Sequence, residues 1–251
     1  MRYTATDESD LVFDLDDGKK IHGVLRGGIN TESKLVVIMH GLFGGPKKSI
    51  LTYLASRYLH DHGYITLSLY MYDSHEQYRD IVDCSLETHI GDFEQVIHQL
   101  HSEFSCKLFA AGHSFGGLTI LGSRVKLDGA VLWDPSHGLA WSGDQPLDRW
   151  NGESAQFLTS NRGRGDMRPK ILQSQLEELG DTSTWARDIA YPTKIITGDQ
   201  SVIYKYVPRY YDELKVKKDL VVIRGAGHSF NEQDVHMERL LAETVEWFDS
   251  L

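Results

Sequence analysis

Short apolar runs recur along the chain, and most are followed by a stretch with the apolar spacing of a helix. Strands buried on both faces lose the alternation of apolar and polar residues, so this order is typical of a parallel sheet covered by helices on both sides. The runs predict strands at residues 35–39, 65–70, 108–111, 130–133, 194–197 and 220–223. The helical spacing predicts helices at residues 49–60, 86–100, 115–123, 170–179, 209–214 and 232–248.

The first β-like segment has a different character. In "LVFDLDDGKKIHGVLRGG" two apolar runs are joined at Asp16-Asp17-Gly18, a sequence suited to the positive φ of a hairpin turn. We therefore expect an α/β fold with a mostly parallel, twisted sheet, an antiparallel N-terminal hairpin and helices on both faces. A chain of 251 residues is long enough for one sizeable core, and we expect a single domain over residues 1–251.

Composition excludes several classes of partner. The formal net charge of -10 disfavours binding to nucleic acid or to an anionic membrane, because both need a positive field. No apolar run approaches a transmembrane length, and the start lacks the organisation of a signal peptide, so we expect a cytoplasmic protein. We expect Cys84 and Cys106 to be reduced and without a role. Nothing in the sequence requires a metal or an organic cofactor. The oligomeric state stays open, with a homodimer as one alternative.

The stretch "KLFAAGHSFGGLTIL" contains Ser114 in a G-x-S-x-G pattern. Chance alone would supply this pattern in roughly one chain in six of this length, so its context has to decide. Here it lies between a predicted strand and a predicted helix. Gly112 and Gly116 allow the sharp turn that raises a serine hydroxyl above the edge of a sheet. We therefore expect Ser114 to be a nucleophile.

A serine hydroxyl needs a base to take its proton, and we expect His228 to be that base. It follows the last predicted strand in the Gly-rich segment "GAGHSF", at the carboxyl end where open parallel sheets bind ligands. The backbone N–H of Phe115, at the start of a helix, and that of Leu42, in "VVIMHGLFGG", are the expected donors to an oxyanion.

Four motifs now stand in one order: "HGLFGG", "GHSFGG", "YPTKIITGDQ" and "GAGHSF". In this order and at these spacings, the chain resembles an α/β-hydrolase serine esterase from about residue 11 to its end. The resemblance implies that Ser114 is the nucleophile, that His228 is general base and then acid, and that Leu42 and Phe115 form the oxyanion hole.

The third member of a catalytic triad is displaced from its usual place. In the commonest pattern of the family, the carboxylate lies three residues after the glycine that ends the penultimate strand, and here that position is Ser201. Two carboxylates lie in the required order between nucleophile and base. We favour Asp134, which ends a predicted strand before Pro135, as in a minority of the family. Asp199 is the alternative, although a turn-forming role would also explain it.

The chemistry expected is hydrolysis of a small-molecule acyl ester through an acyl-enzyme, as in a carboxylesterase or a lysophospholipase-like enzyme. A thioesterase is the nearest alternative, and a catalytically silent fold used for binding is the alternative from another class. Residues 135–169 show weak periodicity and lie where the family often inserts a lid. Trp141, Trp150 and several arginines of this segment are candidates for substrate contact, or else belong to a solvated loop.

Overall fold

The computed structural model describes residues 8–42, 44–73, 75–81, 84–142 and 178–251. Within these residues, eight strands form one sheet in the order β1-β2-β4-β3-β5-β6-β7-β8. The strands are β1 (Glu8–Asp14), β2 (Lys20–Arg26), β3 (Lys34–Met39), β4 (Ile65–Tyr70), β5 (Lys107–His113), β6 (Gly129–Trp133), β7 (Thr193–Gly198) and β8 (Lys218–Ile223).

The pairing of the strands confirms the predicted fold class. β1 and β2 form an antiparallel hairpin, and β2 also pairs antiparallel with β4. All pairs from β4 through β3, β5, β6 and β7 to β8 are parallel. The hairpin turns where predicted, since Gly18 has a φ of 82° and Leu15 N–H donates to the carbonyl of Lys19 at 2.8 Å.

Helices cover both faces of the sheet. Within the described residues they are α1 (Ile50–Asp61), α2 (Leu86–Glu103), α3 (Phe115–Gly122), α4 (Gly138–Ser142), α5 (Val207–Glu213) and α6 (Asp234–Asp249), with a 3-10 helix at Thr182–Asp188. Apolar side chains of α2 and α3 pack on one face with Leu35, Val37 and Met39, while those of α1 and α6 pack on the other with Val36 and Ile38. Consecutive residues of β3 thus enter two different cores, which explains its unbroken apolar run.

Local sequence sets several helix boundaries. Ser49 is the N-cap of α1 and accepts from Thr52 N–H, so this helix begins one residue after the predicted start. Ser85 forms a capping box with Thr88 at the start of α2. The helix predicted at 170–179 falls almost wholly outside the described residues. So does most of the segment predicted as a lid, of which 135–142 are described and 143–169 are not.

Candidate active site

The turn from β5 into α3 holds Ser114 in a strained backbone conformation. Its φ and ψ are 54° and -115°, while α3 begins at the next residue, Phe115. A residue other than glycine adopts such a conformation only where its surroundings impose it, and this strand-turn-helix geometry lifts a serine hydroxyl above the sheet. The Ser114 N–H donates to the Trp133 carbonyl at 3.0 Å, which ties the turn to the end of β6.

The two motif glycines are required by close packing. A Cβ at Gly116 would lie 2.7 Å from the carbonyl oxygens of both Met39 and His40, and a Cβ at Gly112 would lie 2.8 Å from the Gly116 carbonyl group. Contacts this short with backbone atoms are not tolerated, so a larger residue at either position forces the turn to open.

His228 lies in the loop after β8 and contacts Ser114 directly. Its Nε2 is 2.8 Å from the Ser114 Oγ, a hydrogen-bond distance. The His228 side chain retains 35% of its exposure, so one side of the ring is open to solvent or substrate. The sequence-predicted nucleophile and base therefore meet at the carboxyl edge of the sheet.

The Asp134 carboxylate lies behind His228. Its Oδ2 is 2.5 Å from the imidazole Nδ1, and the side chain is fully buried at the end of β6. A buried carboxylate needs several hydrogen-bond donors to offset the loss of water. Ser201 donates to Oδ2 at 2.5 Å and Thr197 donates to Oδ1. Asp134 itself has a positive φ of 45°, a second strained residue in the site.

Asp199 has different partners. Its Oδ1 accepts from the Gly225 backbone N–H at 2.7 Å and from the Gln200 side-chain amide at 3.0 Å. These hydrogen bonds, with that of Gln200 the largest cause, hold the pKa of Asp199 below its usual value. The residue is partly exposed and joins the end of β7 to the turn after β8. The structure thus brings Asp134, Ser114 and His228 together, while Asp199 supports the turn that precedes His228.

Of the two expected oxyanion donors, Phe115 directly follows Ser114, and Leu42 lies in a loop that packs against Ser114. Phe115 is the first residue of α3, so its N–H is at the positive end of a helix. Leu42 follows Gly41, where a Cβ would be 3.3 Å from that of Ser114. The side chain of Leu42 packs against a small apolar cluster that contains Leu86, Phe115 and Leu118. This contact anchors the loop that carries Leu42.

Two buried histidines that the sequence reasoning assigned no role brace these loops. His113 Nε2 is 2.8 Å from the His228 carbonyl, and burial lowers the pKa of His113 to about 3. His40 Nδ1 is 2.7 Å from the Gly41 carbonyl, its Nε2 accepts from Met71 N–H at 3.3 Å, and burial lowers its pKa to about 4. Both rings are therefore neutral at pH 7, and each donates one N–H to a carbonyl of a site loop. The motif position of His113, next to Ser114, is the signal that was available in the sequence.

The sequence reasoning also missed three hydroxyl groups of the site. Thr197 and Ser201 donate to Asp134, although the sequence marks Ser201 only as the position that lacks an acid. Ser136 lies 3.1 Å from Ser114, measured between the two Oγ atoms. A serine or threonine carries no signal of such a role in the sequence, because these residues are common in loops and strand ends for other reasons.

The chain matches a known protein family over most of its length. A family model described as the alpha/beta hydrolase family matches residues 36–243. The chain belongs to the alpha/beta hydrolase family. The match includes Ser114, Asp134 and His228, and the resemblance read from the four sequence motifs is confirmed at the level of the family.

Solved structures of other alpha/beta hydrolases share the fold of the chain. Est1E from Butyrivibrio proteoclasticus with bound ferulic acid has a TM-score of 0.72 at 19% identity, over 95% of this chain and 99% of Est1E. The Pyrococcus furiosus esterase Pf2001 has a TM-score of 0.74 at 16% identity, over 98% of this chain and 91% of the esterase. A dienelactone hydrolase from Anabaena variabilis has a TM-score of 0.67 at 15% identity, over 98% of both chains. A comparison with curated protein sequences gave no significant match.

The remaining expectations concern the side chains of the predicted lid, the cysteines, membrane spans and metal sites. Trp150 and the arginines of the predicted lid lie in the part that is not described, as does the side chain of Trp141. Cys84 and Cys106 form no disulfide. No helix in the described ranges is both long and apolar enough to cross a membrane. Over the same ranges, no three His, Cys, Asp or Glu residues are grouped to hold a metal ion.

Proposed function

We propose that this alpha/beta hydrolase is a serine hydrolase that cleaves carboxylic esters through an acyl-enzyme. The observation that carries the proposal is the hydrogen-bonded series from Ser114 through His228 to Asp134, with distances of 2.8 Å and 2.5 Å. A serine, an imidazole and a buried carboxylate in this arrangement are the parts that acyl transfer to water requires. Esterases with the same fold add to this support.

The proposed reaction begins with attack by Ser114 on the ester carbonyl. The Oγ forms a bond to the carbonyl carbon while His228 Nε2 takes the hydroxyl proton. Leu42 and Phe115 donate their backbone N–H groups to the negative oxygen of the tetrahedral intermediate. The bond to the alcohol then breaks, and His228 gives its proton to the leaving oxygen. Water hydrolyses the acyl-enzyme by the same steps in the second half of the reaction.

Asp134 acts on His228 in both halves. A carboxylate at Nδ1 keeps the imidazole in the tautomer that can accept at Nε2, and it stabilises the imidazolium that forms. Full burial strengthens this interaction, since no water competes for the Oδ2 atom that faces the ring. None of these steps needs a metal or an organic cofactor.

The proposed substrate is a small acyl ester, of the kind cleaved by carboxylesterases or lysophospholipase-like enzymes. Leu42 is a partly exposed apolar side chain that packs on buried Leu86 and Leu118, and it suits an acyl or aryl group more than a charged one. We propose further that residues 1–251 form one domain, that the protein is cytoplasmic, and that the predicted lid of residues 135–169 lies beyond its first residues, 135–138, which are buried in the site. The contact of His228 with Asp134 favours an enzyme over a silent binding protein.

A panel of substrates tests the proposal. We expect p-nitrophenyl esters of graded acyl length to be hydrolysed by the wild type and not by the Ser114→Ala variant, with a clear optimum in length. Matched acyl thioesters serve as the comparison. Faster turnover of thioesters at the same acyl length would favour the thioesterase alternative. Turnover of neither class, by a folded protein, would contradict the proposed function and favour the binding protein.

A further inference from the structure

A second serine hydroxyl touches the proposed nucleophile. Ser136 follows Asp134 by two residues, its side chain is only 2% exposed, and its Oγ is 3.1 Å from the Ser114 Oγ. The Ser114 Oγ therefore has two partners within hydrogen-bond distance, the His228 imidazole and the Ser136 hydroxyl.

The direction of the Ser136 contact follows from the number of protons. A hydroxyl group carries one donor and two acceptor lone pairs. Under the proposed function the Ser114 proton points to His228 Nε2, so the Ser114 oxygen accepts in its contact with Ser136. Ser136 is then the donor, and its proton faces the atom that attacks the substrate and later leaves it.

The backbone around Ser136 is fixed independently of its side chain. Its N–H donates to the Ser114 carbonyl at 2.9 Å, and its carbonyl accepts from the Tyr210 hydroxyl at 2.7 Å. Tyr210 is fully buried and is bonded in turn to the Thr182 hydroxyl at 2.5 Å. Replacing the Ser136 side chain by a methyl group leaves all of these contacts in place, which makes the role of its hydroxyl separable from the fold.

We propose that Ser136 is a further catalytic residue that stabilises Ser114 Oγ as the leaving group of deacylation; this rests on the proposed function. In that step, water attacks the acyl carbonyl carbon and gives its proton to His228. The bond between this carbon and Ser114 Oγ then breaks, and His228 returns the proton to Oγ. Ser136 keeps its own proton and donates a hydrogen bond to Oγ while negative charge develops there.

The hydrogen bond from Ser136 to Ser114 Oγ contributes differently to acylation and to deacylation. Before acylation, Ser114 Oγ already accepts from Ser136, and this hydrogen bond weakens as the oxygen attacks, so it gives no acceleration. The ester oxygen of the acyl-enzyme is a poor acceptor, and the hydrogen bond is regained only as Oγ departs. An interaction gained on the way to the transition state accelerates that step, whereas one present beforehand does not.

Pre-steady-state hydrolysis of p-nitrophenyl acetate separates the two steps, because the burst reports acylation and the steady phase reports deacylation. For Ser136→Ala we expect deacylation to slow by about tenfold and the burst rate to stay within about twofold, as for one hydrogen bond to a charged oxygen. Ser136→Cys, which keeps the shape with a weaker donor, is expected to act in the same direction.

The matched control is Ser123→Ala. Ser123 is a buried serine at the end of α3 that donates to the Ile120 carbonyl, so its loss should leave both rates as in the wild type. If Ser136→Ala and Ser136→Cys slow acylation and deacylation equally, or slow neither, the proposed role of Ser136 is wrong. The proposed function would still stand. Absence of ester turnover by the wild type would overturn the proposed function, and this inference with it.

Discussion

The Ser201 hydroxyl donates at 2.5 Å to the same oxygen of Asp134 that faces the His228 imidazole. Position 201 is where the commonest pattern of the family carries its acid, at the end of β7. In this chain the carboxylate that contacts His228 comes from the end of the neighbouring strand β6, and position 201 carries a hydroxyl. Adjacent parallel strands end side by side, so a carboxylate from either one can reach the same histidine.

Replacing either aspartate tests which carboxylate serves His228. We expect Asp134→Asn to lower kcat by about 10⁴-fold, because an amide holds the imidazole in the wrong tautomer. Asp199→Asn should change kcat little, since its partners are Gly225 and Gln200. Steady-state ester hydrolysis measures both. The reverse ranking would assign the role to Asp199, and equal small effects would indicate a Ser-His dyad.

Moving the acid to the end of β7 is a more demanding test. Ser201 Oγ and Asp134 Oδ2 are within hydrogen-bond distance, so a carboxylate at 201 can approach the position that Oδ2 now occupies. We expect the double variant Asp134→Ser and Ser201→Asp to recover kcat by at least about tenfold over Asp134→Ser alone. Ester hydrolysis by the three proteins measures this. A double variant as slow as the single one would show that the acid works only from β6.

Two glycine-to-alanine substitutions compare the stability effect of an added side chain at the tightly packed turn with its effect at an open helix position. Gly116→Ala should destabilise the protein by about 3 kcal/mol or more and abolish activity, because its Cβ would meet the Met39 and His40 carbonyl oxygens. Gly91→Ala, in α2 with no atom within 4 Å of the added Cβ, should stabilise it by about 0.5–1 kcal/mol. Urea unfolding measures both changes. A Gly116→Ala protein of wild-type stability would contradict the close packing at this turn.

Acid should destabilise the protein through its buried histidines. Burial lowers the pKa of His40 to about 4, whereas an unfolded histidine has a pKa of about 6.5. Between these values the unfolded state binds the additional proton, so stability falls as pH is lowered through this range, by up to about 1.4 kcal/mol per pH unit for one histidine. Urea unfolding of the wild type and His40→Gln from pH 7 to 4.5 should give a shallower dependence for the variant. Identical slopes would contradict a neutral, buried His40.

The fold was accessible from sequence because the signals were local and repeated. Each local signal corresponds to one element of the structure, as shown by the unbroken apolar run of β3 and the hairpin turn at Asp17-Gly18. Gly116, which has no side chain, indicates the sharp turn after Ser114. Of the site, Ser114 and His228 follow from motifs at strand ends. The two residues follow β5 and β8, which are not neighbours in the sheet. Their contact at 2.8 Å depends on tertiary packing, which a local sequence pattern does not predict.

The partners of the carboxylate could not be predicted for the same reason. The sequence narrows the acid to Asp134 or Asp199, on adjacent strand ends, and favours Asp134 by its place before Pro135. It does not show which of the two side chains turns inward. The positive φ of Asp134 and the hydroxyl groups of Thr197 and Ser201 direct the Asp134 carboxylate inward. These are tertiary features, as is the contact of Ser136 with the nucleophile.

Reaction with a fluorophosphonate tests the central claim most directly, since these reagents bond covalently to an activated serine. We expect peptide mass spectrometry to find one adduct on Ser114 of the wild type, no adduct on Ser114→Ala, and much slower labelling of Asp134→Asn. A folded wild type that is not labelled, or an adduct that persists in Ser114→Ala, would contradict the account.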